Sequence, residues 1–114
     1  MVKIVGIENS EHYIWGDNCD GWHLVKSANL SVIQERMPPG CEEVLHYHEH
    51  AEQFFFILCG IATIEVDGEE HELHPQQGMH IPANTPHQLK NKHDEHLCFI
   101  VTSTPPSHGD RVLA

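Results

Sequence analysis

The sequence predicts an all-β sandwich or barrel, and three observations carry that prediction. Turn signals built on Pro, Gly, Asn and Asp recur about every ten residues, the spacing of short antiparallel strands. The segments between them alternate or run apolar over short stretches, with little helical periodicity. Asp67-Gly68 stands between two such segments and is the strongest short-range hairpin signal in the chain. A chain of 114 residues forms one domain, burying roughly two-thirds of its unfolded surface around a single core.

The elements follow in order. Residues 1–29 contain both tryptophans, Trp15 and Trp22, and read as a covering segment along one edge of a core spanning roughly 30–102. "NLSVIQERM" (29–37) is a strand ended by Pro38-Pro39-Gly40. "QFFFILCG" (53–60) is a buried strand, and "IATIEV" and "EEHELH" flank the Asp67-Gly68 turn. "GMHIP" (78–82) and "PHQLKN" (86–91) bracket Ala83-Asn84-Thr85, and "HLCFIVTS" (96–103) is the last strand. The tail, 103–114, starts in a proline turn and is expected to be solvated; Asp110 and Arg111 folding over a site mouth is the alternative.

Composition narrows the function. Six basic residues against seventeen acids give a formal charge of −11, which repels nucleic acid and anionic membrane surfaces because phosphate contacts need clustered Lys and Arg. No apolar run approaches the length of a membrane span, and the opening "MVKIVGIENSEHY" lacks the cationic lead and apolar stretch of a secretion signal. A cytoplasmic chain with reduced thiols is expected, since Cys19, Cys41, Cys59 and Cys98 are widely spaced with no C-x-x-C. A small-molecule ligand or substrate remains as the partner.

Twelve histidines raise the question of a metal. His46 and His48 are two apart, so in a strand both rings point to one face, a spacing suited to two ligands of one ion. His87 follows "IPANTP", where a rigid turn fixes its aim. His12, His50, His71, His74, His93 and His108 are expected at the surface. His50 continues the alternation of 46 and 48, but the chain must turn near 49–51, which throws it outward.

These two segments resemble the two motifs of the cupin superfamily, small double-stranded β-helix or jelly-roll proteins. The first motif runs Gly, five residues, His-x-His, three or four residues, Glu, six residues, Gly. Gly40, His46, His48 and Gly60 fit it. The second motif is matched by Pro82, His87 and Asn91, with Asn84 in place of its Gly; Asn tolerates the left-handed conformation better than other non-glycine residues. The resemblance spans residues 30 to 102. It implies a metal centre on His46, His48 and His87 with a fourth ligand from the carboxylate position of the first motif. With the motif's six residues between it and Gly60 stands Gln53, the favoured ligand because Gly60 anchors the register; Glu52 is the alternative if a bulge shifts the phase.

Histidine with oxygen ligands suits a divalent transition metal, Ni, Zn, Fe, Mn or Co, and the absence of thiolate disfavours copper(I). A catalyst also needs a proton carrier. Ile33, Glu35 and Met37 share one face of their strand. A carboxylate between two apolar neighbours would be desolvated and its pKa raised toward the range of a general base, so Glu35 is the candidate. His80 is expected to point outward. The expected function is a metal-dependent enzyme isomerising a small sugar-like or keto-acid substrate; a metal-dependent dioxygenase and a non-catalytic metal or small-molecule binding module are the alternatives. A homodimer is expected, since the resemblance implies pairing through edge strands.

Overall fold

The computed structural model describes residues 2–114; Met1, the first residue of the expected covering segment, lies outside them. Strand formation follows the apolar alternation read from the sequence. Among the described residues there are eleven strands: β1 (Glu11–Trp15), β2 (Cys19–Lys26), β3 (Ser31–Met37), β4 (His46–His48), β5 (Glu52–Cys59), β6 (Ala62–Val66), β7 (Glu69–Leu73), β8 (Gly78–Ile81), β9 (His87–Lys90), β10 (Leu97–Thr104) and β11 (Arg111–Leu113). They form two antiparallel sheets, one ordered β1-β2-β3-β10-β5-β8 and the other β11-β4-β9-β6-β7. This is the all-β jelly-roll architecture that the sequence predicts.

The inner faces of the two sheets supply the core. Ile57, Ile64, Leu89, Leu97, Phe99 and Met37 are fully buried, each contributing roughly 1.5–3 kcal/mol over an exposed position. In β5 the phase is strict: Gln53, Phe55 and Ile57 are buried, while Glu52 and Phe54 are exposed. Only Phe55 of the three consecutive phenylalanines joins the core; Phe54 and Phe56 stack on each other on the outer face, 6.2 Å apart. Gly60 ends the strand with φ +80, and a side chain there would lie 2.4 Å from the carbonyl of His96. That close approach anchors the register from which Gln53 is counted.

The N-terminal segment lies along an edge, β1 and β2 extending the first sheet beyond β3, and Cys19 of β2 is completely buried. The tail is largely exposed, as expected, but it is ordered by pairing: β11 pairs with β4, Arg111 opposite His48 and Leu113 opposite His46. The carboxylate of Asp110 accepts hydrogen bonds from the backbone N–H groups of His50 and Ala51, both at 2.9 Å. Those two donors, left over where the chain turns between β4 and β5, are what recruit the tail.

Candidate metal centre

β4 is only three residues long, yet it presents two imidazoles to the interior with Tyr47 facing away. His46 pairs in register with His87 at the start of β9, which brings the third ring alongside. All three are buried, and one nitrogen from each lies within 4.8 Å of the others. Ring centroids are 4.5 to 5.8 Å apart.

One local device aims two of the rings. The Nδ1–H of His46 donates to the carbonyl of Val44 at 2.7 Å, and the Nδ1–H of His87 to that of Thr85 at 2.9 Å. A carbonyl can only accept, so the proton sits on Nδ1 and each Nε2 carries a lone pair. Asn84, with φ +62, makes the turn that delivers His87, and its N–H donates to the His48 carbonyl at 2.7 Å. Burial lowers the pKa of all three rings, His46 to about 4, so they are neutral near pH 7.

These donors fit a divalent cation. Both ring nitrogens of His48 are buried with no hydrogen-bond partner among the described residues, a situation that costs roughly 1–3 kcal/mol when left uncompensated. Gln53 Oε1 faces His87 Nε2 at 3.2 Å, while Gln53 Nε2 donates to the Ser103 hydroxyl at 3.0 Å. Since the single proton of the His87 ring is on Nδ1, the 3.2 Å contact sets one acceptor against another. A cation beside them satisfies both, as it does the orphaned His48.

The other sequence candidates lie elsewhere. Glu52 is on the outer face, its carboxylate 2.8 Å from His80 Nε2, and His50 is exposed in the turn. Glu35 faces inward with Ile33, across a cavity of about 690 Å³ that also takes in His46, His48 and Gln53. The histidines and Glu35 therefore come from different sheets. Burial raises the Glu35 carboxyl to about 7, and a hydrogen bond from the Tyr13 hydroxyl at 3.1 Å pulls in the opposite direction.

Tyr13 is a site residue that sequence reasoning missed. It sits opposite Gly21 in β2, which in turn sits opposite Glu35 in β3. A side chain at position 21 would lie 2.3 Å from the tyrosine ring, so the bare backbone there is what lets the phenol reach across a whole strand. Burial first, then the Glu35 charge, raises the Tyr13 pKa far above its ordinary value; the phenol stays protonated and donates. Glu43 is a second omission. It lines the same cavity and accepts from the Leu89 N–H at 3.0 Å. Burial, and next the charge of Glu35, push it up to about 8. No local motif marks either residue, because each acts through a partner distant in sequence.

Comparisons with known proteins agree with this geometry. The family profile described as "Cupin domain" matches residues 33–103. An uncharacterized protein of Methanocaldococcus jannaschii is 30% identical over 89 residues, covering 77% of this chain and 71% of that one. The quercetin 2,3-dioxygenase of Bacillus subtilis is 39% identical over 59 residues, 52% of this chain but only 18% of the enzyme. Among solved structures, KdgF from Halomonas sp. superposes with a TM-score of 0.85 at 16% identity, covering 94% of this chain and 98% of its own. A sugar phosphate isomerase from Silicibacter pomeroyi gives 0.81 at 23% identity, covering 90% and 75%. At such identities the two structures speak to fold alone.

Proposed function

The chain belongs to the cupin family, and on that premise we propose that it is a metal-dependent enzyme isomerising a small sugar-like or keto-acid substrate. His46, His48, His87 and Gln53 would hold a divalent transition metal. A bound ion of that kind supplies Lewis acidity, polarising a carbonyl so that an adjacent C–H becomes acidic. The observation that carries the reading is Glu35: a carboxylate ordinarily spent at neutral pH, held near pH 7 on the cavity wall facing the histidines.

In this reading Glu35 takes the proton from one carbon and returns it to the neighbouring one. Tyr13 fixes the carboxylate by donating to one oxygen and leaves the other to face the cavity. Ile33, Phe55 and Val101 line the same cavity and give the carboxylate its apolar surroundings. Three imidazoles and an amide bring no negative charge, so an anionic substrate group is favoured beside the ion.

The test is proton wash-out. Protein loaded in turn with Ni, Zn, Fe, Mn or Co is incubated in D₂O with small hydroxy-ketones and keto acids, and deuterium entry at carbon is followed by NMR. Glu35→Gln should retain the metal and lose the exchange; undiminished exchange in that variant removes Glu35 from the mechanism. A second reading, a metal-dependent dioxygenase, is favoured by the matched stretch of quercetin 2,3-dioxygenase; oxygen uptake by the iron- or manganese-loaded protein with a substrate would replace the first reading. A non-catalytic binding module would show neither. Pairing of two copies through an exposed edge is part of the proposal, and light scattering measures it.

A further inference from the structure

Two of the free cysteines meet on neighbouring antiparallel strands: Cys59, the last residue of β5, stands opposite Cys98 in β10. Strand alternation alone would not pair them. Gln53, Phe55 and Ile57 face inward, and the same phase would turn Cys59 inward as well. A register shift between Cys98 and Phe99 breaks that phase and sets Cys59 directly opposite Cys98; Cys59 is exposed and Cys98 is half-buried. The register sets the two residues opposite each other across neighbouring strands, the placement from which a disulfide, with Cα atoms about 4.4–6.8 Å apart, can close. The close seating of Gly60 against the His96 carbonyl holds both strand ends in place.

We propose that Cys59 and Cys98 form a peroxide-reactive dithiol that closes into a cross-strand disulfide within one chain. The Cys59 thiolate attacks one peroxide oxygen, the O–O bond breaks, and water leaves once the departing oxygen is protonated. The Cys98 sulfur then displaces the hydroxyl of the resulting sulfenic acid as a second water. Two thiols and one hydrogen peroxide thus become one disulfide and two waters. Cys59 is exposed to an oxidant and Cys98 is half-buried, which makes Cys59 the attacking group and Cys98 the resolving one. Cys19 also neighbours Cys41 but is wholly buried, out of reach of an oxidant in the folded protein. The site is independent of the proposed isomerase activity: Cys59 lies six residues along β5 from Gln53, roughly 20 Å at the rise of a strand.

The experiment treats the intact protein with dilute hydrogen peroxide, blocks remaining thiols with N-ethylmaleimide, and reads intact mass and a peptide map. Loss of two hydrogens per chain with a Cys59–Cys98 crosslinked peptide is the expected result, with affinity for added zinc unchanged. Cys98→Ser should stop at a sulfenic acid on Cys59 that dimedone captures, and Cys98→Ala serves if serine disturbs the strand. The proposal is overturned if the crosslink joins Cys19 to Cys41, links two chains, or does not form.

Discussion

Replacing Glu35 by Gln should make the metal-free protein markedly more stable at alkaline pH while leaving it nearly unchanged in acid. The carboxyl rises from its ordinary 4.5 to about 7 on folding. Below the unfolded value it is protonated in both states and carries no penalty. As pH climbs from there through the folded value, the unfolded chain ionises while the folded one resists, and stability drains away. At about 1.4 kcal/mol per pH unit the loss comes to about 3 kcal/mol, a large part of the 5–15 kcal/mol typical of a domain. Glutamine has the same shape and no charge, so it escapes the loss and also relieves Glu43, which feels the Glu35 charge. Urea unfolding of both proteins from pH 4 to 8.5, with a chelator present, gives the difference curve. It should rise by about 3 kcal/mol across that range, since titrations that do not feel Glu35 cancel, and the relief of Glu43 adds to the rise. A flat curve refutes the desolvation argument and, with it, the reason for regarding Glu35 as a base.

Other outcomes follow from the same geometry. His48→Ala should lower zinc affinity by more than about a hundredfold in calorimetry, beyond the range seen when only supporting residues are lost, yet cost the metal-free fold little because His48 has no hydrogen bond to give up. Gln53→Ala should weaken the metal by about tenfold or more, whereas Glu52→Ala, which removes only an exposed partner of His80, should not; the reverse ranking would identify Glu52 as the ligand. Tyr13→Phe should shift the Glu35 midpoint upward in a carbon-13 carboxyl titration, since the phenol hydrogen bond favours the ionised form. An unmoved midpoint would show that the contact does not bear on the carboxylate.

Much of this arrangement was legible in the sequence because it is local. Period-two alternation placed Gln53 on the inner face and Glu52 on the outer, and the approach of Gly60 to His96 is what made counting back from that glycine valid. The gathering of His46, His48 and His87 needed only one strand pair beyond the alternation. What escaped depends on registers between strands far apart in sequence. Tyr13 reaches Glu35 through two successive pairings, and neither leaves a trace in a short window. The strand pairing of the tail escaped for a related reason: its order comes from N–H groups at residues 50 and 51 that bond Asp110, some sixty positions upstream. The four widely spaced cysteines gave no hint in the sequence that Cys59 and Cys98 meet, because their pairing turns on a bulge that no composition announces.

Gly21 and Tyr13 behave as one side chain divided between two strands. Any residue placed at 21 evicts the phenol, and a smaller residue at 13 leaves a gap that a side chain at 21 could fill. Substitutions at these two positions should therefore be strongly non-additive, each tolerated or rejected according to the identity of the other. A library varied at both together would recover combinations that single-site scanning discards, and a survivor with the bulk transferred to position 21 would have rebuilt the wall beside Glu35 without its hydroxyl.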